Sequence, residues 1–359
     1  MADVIVVGGG ISGMLSAWYL VQAGKKVQIL ERGEPGRESS WAGGGIVSPL
    51  YPWRYPEPVN RLAKWSQQQF PSLTQLLHEA SGIDPEYLTS GLLMPGVGAE
   101  EYQQAQAWAQ DYPANLQSLD DQQVLITQPE LRPPPGYHLW LPEVAQVRNP
   151  RILQSLHGAL LAYGVEILSH HPVSGLDVRE GRVHGVVVGG RHHDAEQVLL
   201  CAGAWTDEIH GHQATGIYPV RGQMLLYQAE PGQLEHIILA EDTYLIPRKD
   251  GKILAGSTME YVGYDKTTTI AAREDLEARA TSLFPPLRYC EVIQHWAGLR
   301  PACEDGIPTI SAHPGIAGLF INAGQFRNGV VTGPASAKLV SDLVLGKEPE
   351  LDPLAYALK

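Results

Sequence analysis

Residues 3–13 constrain the fold of this chain more than any other segment. Residues 4–7 form a β-branched run that predicts a strand, and this run leads straight into a glycine turn. A helical pattern follows and ends at Gly24, and a second apolar run then ends in Glu31. Strand, turn, helix, strand and acid in this order are typical of a dinucleotide-binding βαβ unit.

Each part of this unit has a physical role. Gly8 allows a tight turn, Gly10 lets a pyrophosphate approach the backbone, and Gly13 lets the helix pack closely on the sheet. The free N–H groups at the start of the helix attract phosphate charge. Glu31 lies near the ~20-residue spacing at which a carboxylate accepts hydrogen bonds from ribose hydroxyls. The unit predicts a nucleotide cofactor but does not by itself choose between NAD and FAD.

The composition is that of an ordinary globular protein. With 359 residues, of which 44% are hydrophobic and 18% charged, the chain is long enough for two domains. A net charge of −13 argues against binding to nucleic-acid phosphates, and no apolar run approaches the ~20 residues of a membrane span. No charged segment precedes the first strand, so no secretory signal is expected. The three cysteines, Cys201, Cys290 and Cys303, indicate a reducing compartment, and we expect a cytoplasmic protein.

The order of the elements predicts an α/β fold with two domains. A discontinuous, Rossmann-like cofactor-binding domain is expected over 1–80, 145–215 and 295–359. Two insertions, 81–144 and 216–294, are expected to form a second, β-rich (α+β) substrate domain.

Several individual elements are also predicted from periodicity. A helix is expected over 60–78, where Pro71 either bends it or begins a second piece. Asn149 is expected to cap a later helix. A hairpin is expected over 244–258, around the turn at 250–251.

Two further runs of small residues indicate a large cofactor. Residues 38–46 include three consecutive glycines, which suit a flat ring lying against the backbone. Residues 324–329 form a turn that enters the last predicted helix and offers another helix N-terminus. Three such turns in one domain favour a cofactor that is bound along its whole length.

The segments that carry a family resemblance lie in order over nearly the whole chain: 8–13, 39–46, 202–205, 244–248, 256–259, 296–301 and 324–329. With these segments the chain resembles the FAD-dependent amine oxidase family typified by D-amino acid oxidase and sarcosine oxidase. It is most similar to the glycine oxidase (ThiO-like) branch, which serves thiamine biosynthesis. The resemblance implies non-covalent FAD and a two-domain fold.

The resemblance also implies a reaction. A small amine next to a carboxylate (glycine, sarcosine or a small D-amino acid) is oxidised to an imine or 2-oxo acid, with release of ammonia and hydrogen peroxide. The expected partners are therefore a small amino acid and oxygen, and a homo-oligomer, such as a tetramer, is expected. No side chain is needed as a catalytic acid or base, because the flavin takes the electrons and the imine hydrolyses in water.

The glycine turn and the resemblance together assign two sets of site residues. The substrate-binding set is Arg300, Arg327, Tyr244 and Met259. The cofactor-binding set is Gly8, Gly10, Ile11, Ser12, Gly13, Glu31, Arg32, Ser39, Ser40, Gly44, Gly45, Ile46, Val173, Gln325, Phe326, Arg327, Asn328, Gly329, Val330 and Val331.

Alternatives remain open for the main candidates. Arg300 suits a carboxylate clamp, because a planar guanidinium makes two parallel charge-assisted bonds, but a structural salt bridge would also explain it. Arg327 either touches substrate or braces its loop, and Tyr244 either donates its hydroxyl or packs on a strand. The histidine pairs lack the spacing of a metal site, so no metal is expected. Cys303 does not match the register of covalent flavin attachment in relatives, so a plain thiol is expected.

Three rival functions are open. A non-catalytic binding or chaperone-like flavoprotein would be expected to lack Arg300 and the turn at 324–329, and both are present. A dehydrogenase would pass the electrons to a quinone or carrier instead of oxygen, and peroxide release would distinguish the two. A flavin-containing RNA-modification or binding module shares the fold, but the acidic balance of the chain counts against it.

Overall fold

The computed structural model describes residues 2–112 and 114–359, and within them two large β-sheets are surrounded by helices. The α/β class expected from the sequence is confirmed. The strands are β1 (Ala2–Val7), β2 (Val27–Leu30), β3 (Leu88–Thr89), β4 (Leu92–Val97), β5 (Gln117–Leu119), β6 (Tyr137–Leu141), β7 (Ala145–Gln146), β8 (Glu166–Leu168), β9 (Val173–Arg179), β10 (Arg182–Val188), β11 (Arg191–Leu200), β12 (Tyr218–Gln228), β13 (Ile237–Ala240), β14 (Thr243–Pro247), β15 (Lys252–Gly256), β16 (Glu291–Ala302), β17 (Thr309–Ala312) and β18 (Leu319–Ala323). The helices are α1 (Ile11–Gln22), α2 (Ser39–Ala42), α3 (Glu57–Ser81), α4 (Ala99–Asp111), α5 (Asp121–Thr127), α6 (Asn149–Ala162), α7 (Ile270–Leu283) and α8 (Gly333–Val344).

The first sheet has the strand order β17-β18-β11-β1-β2-β8. The pairs from β18 to β8 are parallel, β17 is antiparallel, and the β9–β10 hairpin extends β11. Val4, Ile5 and Val6 of β1 are fully buried, as expected for a central parallel strand covered on both faces. The carboxyl ends of β1, β2, β11 and β18 therefore lie at one edge of the sheet, where ligands bind in such folds.

The second sheet has the strand order β16-β12-β15-β14-β13-β4-β6-β5 and is antiparallel except for the β13–β4 pair. Strand β16 pairs with β12 along its whole length, from Glu291 to Ala302. It thus continues past residue 294, where the second predicted domain was expected to end. No observation fixes the domain bounds themselves, and they stay a prediction.

Helix α3 is longer than the predicted 60–78 and runs through Pro71 without a break. A proline inside a helix costs about 3 kcal/mol, because it removes one hydrogen bond and crowds the preceding turn. The helix also buries Leu62, Phe70, Leu73 and Leu77, and each such side chain stabilises the fold by about 1.5–3 kcal/mol. Burial of this face therefore outweighs the proline.

Asn149 does not cap α6, contrary to the expectation. The cap position is Arg148, and Asn149 is the first residue of the helix. Its side-chain amide instead donates a hydrogen bond of 2.6 Å to the carbonyl of Ser40. Asn149 thus bonds to a residue that lies 109 positions away in sequence, and no local pattern could reveal this partner.

Among residues 2–112 and 114–359, no helix combines the length and the apolar character needed to cross a membrane.

Candidate active site

The glycine turn after β1 is packed too closely for side chains. A Cβ atom on Gly13 would overlap the carbonyl oxygen of Gly8. Gly8 itself has a φ of +108°, and a Cβ atom there would overlap the backbone of Cys201. The N–H of Ile11 donates to the hydroxyl of Ser40 at 2.9 Å. The start of α1 thus opens on a large cavity that Gly10, Ile11 and Ser12 help to line.

Glu31 lies at the end of β2 and lines the same cavity. Its side chain is buried, and its two oxygens accept the N–H groups of Gly9 at 2.7 Å and Gly33 at 2.9 Å. A carboxylate offers about four acceptor sites, so it keeps capacity for ribose hydroxyls. Beside it, the guanidinium of Arg32 lies 3.4 Å from the ring centre of Trp205.

Arg248 holds the loop that contains the three consecutive glycines, residues 43–45. One guanidinium nitrogen donates to the carbonyl of Gly44 at 2.7 Å, and the other donates to Gln146 at 2.5 Å and to the carbonyl of Val147 at 3.0 Å. Burial, assisted by the nearby charge of Arg148, lowers the pKa of Arg248 to about 10. The side chain is therefore still a cation at neutral pH.

Arg300 projects from β16 towards this cavity. One of its guanidinium nitrogens donates to the hydroxyl of Ser257 at 2.8 Å and the other to the carbonyl of Thr258 at 3.1 Å. Burial lowers its pKa, and the neighbouring Tyr244 hydroxyl acts in the opposite direction. Among the described residues no carboxylate pairs with it, so the structure does not support the alternative of a structural salt bridge.

The other pocket residues surround this guanidinium. The hydroxyl of Tyr244 lies 3.5 Å from the sulfur of Met224, and both side chains line the cavity. The turn that carries Arg327 is fixed by a 2.9 Å hydrogen bond from the N–H of Phe326 to the carbonyl of Pro301. Arg327 also faces the cavity, and its charge contributes to lowering the pKa of Arg300.

The structure brings most of the predicted site residues to one cavity. The residues that line it are Gly8, Gly10, Ile11, Ser12, Glu31, Arg32, Ser39, Ser40, Gly44, Gly45, Ile46, Val173, Tyr244, Arg300, Gln325, Phe326, Arg327, Gly329 and Val330. Gly13, Asn328 and Val331 lie outside the lining, and the latter two are buried behind it.

Met259 is not brought to the cavity. Its side chain is 54% exposed, whereas its neighbours Thr258 and Glu260 turn towards β12 and bond to Gln223. Alternate residues of an extended segment point to opposite faces, so Met259 faces away from β12.

The residues present fit FAD. The glycines leave an approach to the backbone that Cβ atoms would fill, the first turn of α1 offers N–H groups to phosphate, and Glu31 can accept from ribose. The cavity continues from this end to Arg300 on the second sheet, so one elongated ligand would reach both ends.

Several lining or supporting residues were missed by sequence reasoning. Gly222 and Gly298 face each other on β12 and β16 and both line the cavity. A side chain at Gly222 would overlap the guanidinium of Arg300. Arg248 and Ser257 fall within segments 244–248 and 256–259, but the sequence pattern assigns a role to neither of them. A small or charged residue within a strand is the feature that could have identified these positions. It can be interpreted only once the pairing of β12, β15 and β16 is known.

Of the three cysteines, Cys201 lines the cavity, and burial raises the pKa of its thiol to about 12. All three are free, and Cys303 donates to the carbonyl of Ile307 at 3.0 Å. Burial, with the charge of Asp305, raises the pKa of the Cys303 thiol to about 11. Within the described part of the chain, no group of three His, Cys, Asp or Glu side chains is arranged to hold a metal ion.

Comparisons with known proteins show the family of this chain. The profile of a family described as "DAO: FAD dependent oxidoreductase" matches residues 3–343. A glycine oxidase of Pseudomonas putida is 44% identical over 358 residues, covering 99% of this chain and 98% of that protein. A protein of Trichormus variabilis named bifunctional protein ThiO/ThiG is 29% identical over 356 residues, covering 98% of this chain and 54% of that protein.

The fold is also similar to that of solved structures. The crystal structure of glycine oxidase from Geobacillus kaustophilus matches with a TM-score of 0.93 at 27% identity, covering 100% of this chain and 98% of that one. Both sheets are included in a match of this extent.

Proposed function

The chain belongs to the family of FAD-dependent oxidoreductases whose profile it matches over residues 3–343, and from that premise we propose that it is a glycine oxidase. It oxidises glycine and other small amines, such as sarcosine and small D-amino acids, at the carbon that bears the nitrogen. The products are the imine or 2-oxo acid, ammonia and hydrogen peroxide. The observation that carries the proposal is an Arg300 guanidinium without a carboxylate partner among the described residues, lying in the same cavity as the glycine turn.

In this proposal Arg300 binds the substrate carboxylate through two parallel charge-assisted bonds. Tyr244 donates its hydroxyl to the same carboxylate, and Arg327 adds positive charge at the cavity wall. FAD, when bound, accepts the two electrons of the oxidation. The protein itself holds the zwitterion in one orientation, so its contribution is positioning and electrostatics rather than proton transfer.

The residues proposed to hold FAD are those of the glycine turn, Glu31 and Arg32, the 39–46 loop, Val173 and the 325–331 turn. Gly13, Asn328 and Val331 are proposed to support this set by packing, because they lie just outside the lining. Met259 remains a candidate substrate contact only if the exposed segment around it moves inward.

A biosynthetic role is part of the proposal. The name ThiO/ThiG of the Trichormus variabilis relative, together with the family resemblance, supports a product that feeds the thiazole ring of thiamine. We also propose a homo-oligomer, which light scattering on the purified protein would test, and a cytoplasmic location.

One experiment tests the function. The purified protein should be yellow, and under anaerobic conditions glycine, sarcosine, D-alanine and D-proline are added in turn while flavin absorbance is followed. We expect bleaching by glycine at least, and peroxide on admission of air. A colourless protein that takes up no FAD, or a flavin that none of the four amines bleaches, would end the proposal. Bleaching without peroxide would favour the dehydrogenase alternative.

Acid denaturation tests the mode of flavin attachment. Cys201 lines the cavity, but burial raises the pKa of its thiol to about 12, and the pKa of the Cys303 thiol is also raised. Because a thiolate is the reactive form of cysteine, we expect no covalent bond to the flavin and a yellow supernatant. A yellow pellet would indicate a covalent bond.

A further inference from the structure

The guanidinium of Arg300 is held by a segment that does not line the cavity. Its two acceptors, the hydroxyl of Ser257 and the carbonyl of Thr258, directly follow β15. The side chain of Ser257 is buried, and neither residue belongs to the lining. These two acceptors therefore engage Arg300 outside the space that a substrate would occupy.

The donors of Arg300 are divided between this support and the cavity. A guanidinium has five N–H donors, of which Ser257 and Thr258 take two. Three remain, and a bidentate carboxylate needs two of them. Gly222 provides the space in which the guanidinium lies, because a Cβ atom there would overlap it.

The segment that holds Arg300, which includes Ser257 and Thr258, is itself hydrogen-bonded to β12. The hydroxyl of Thr258 accepts the N–H of Gln223 at 2.9 Å and donates to the carboxylate of Glu260. The amide of Gln223 donates to Glu260 at 2.9 Å. The buried Arg221 also binds Glu260, and it binds Asp265 at 2.8 Å.

We propose that Ser257 is a positioning residue for carboxylate recognition, holding the guanidinium of Arg300 so that its free N–H donors face the cavity. This inference rests on the proposed function, in which Arg300 grips the substrate carboxylate. Without the hydroxyl, one edge of the guanidinium loses its acceptor and the side chain gains rotational freedom. Binding of the carboxylate then costs more ordering entropy, whereas the step that follows binding is unchanged.

The test uses the holoenzyme and acetate as a non-reacting carboxylate. Acetate is titrated into the wild type and Ser257→Ala, its Kd is read from the change in flavin absorbance, and glycine turnover is measured in parallel. Loss of one hydrogen bond to a charged group predicts a Kd for acetate raised about tenfold. The KM for glycine should rise by a similar factor, with kcat within about twofold of the wild type.

Two further variants separate positioning from a general structural effect. Ser257→Thr keeps a hydroxyl and should restore most of the acetate affinity. Ser311→Ala is the matched control, since Ser311 is another buried serine with a single bond, accepting the N–H of Leu358 at 3.1 Å. It should bind acetate like the wild type.

The outcomes distinguish this inference from the proposed function. If the wild type neither binds acetate nor oxidises glycine, the proposed function fails. If the wild type does both and Ser257→Ala matches it, only the role of Ser257 is refuted. An equal loss of affinity in Ser257→Thr would also refute it, and so would a fall in kcat with an unchanged KM.

Discussion

Replacing Arg300 by alanine tests the site most directly. The variant loses the two N–H donors that we expect to bind the substrate carboxylate, and each charge-assisted bond contributes about 1.5 kcal/mol at the lower end of its range. The two together amount to about 3 kcal/mol, which corresponds to a loss of roughly 150-fold in kcat/KM for glycine. Arg300→Lys keeps the charge but not the planar fork, so we expect a loss of about tenfold.

The assay is peroxide release at subsaturating glycine, with flavin content and Tm measured on the same samples. Arg288→Ala is the control, because Arg288 is an exposed arginine that does not line the cavity. The flavin content should stay unchanged, since the contacts that distinguish Arg300 are with Ser257 and Thr258 rather than with the glycine turn. A kcat/KM within about threefold of the wild type would refute the clamp and the reasoning from unpaired donors.

Three further predictions concern the cofactor end and the cysteines. Glu31→Gln should raise the Kd for FAD about tenfold, as measured by flavin fluorescence, because the carboxylate charge that holds two backbone N–H groups is lost; an unchanged Kd would exclude Glu31 from the site. Arg248→Met should lower the free energy of unfolding by about 2 kcal/mol in urea denaturation, because buried acceptors, including the Gly44 carbonyl, lose their donor; equal midpoints would contradict this. Iodoacetamide should alkylate Cys303 about 100-fold more slowly at pH 8 than an ordinary thiol, since its pKa is raised to about 11, and the rate should rise about tenfold per pH unit up to that value; rapid labelling at pH 8, read by mass spectrometry, would show a lower pKa.

The first βαβ unit could be predicted because its information is local. Residues 4–31 encode the strand, the turn, the helix and the acid within one continuous stretch, and the steric contacts that require Gly8 and Gly13 are contacts between neighbours in this unit and the adjacent strand. Arg300 and Tyr244 were assigned from the family resemblance rather than from their own patterns. Neither residue stands out by periodicity or spacing.

The supporting residues could not be predicted because their partners are distant in sequence. Ser257 meets Arg300 across 43 positions, and Arg248 meets Gly44 across 204. Asn149 is a further example. The local preference of asparagine predicts a helix cap, but the side chain bonds to the distant Ser40 and the cap position is Arg148. Which side of an extended segment faces inward, as at Met259, likewise follows from tertiary pairing.

The position of β18 beside β11 has a consequence for how the protein matures. Strands β1 (Ala2–Val7) and β18 (Leu319–Ala323) are far apart in sequence but belong to one sheet, and the turn after β18 lines the same cavity as Gly10. During synthesis the unit that contains β1 emerges first, yet one wall of the cavity is missing until β18 and the turn after it have been translated. Cofactor binding therefore has to wait for β18, and a nonsense mutation shortly before β18 should yield a chain that cannot retain its flavin.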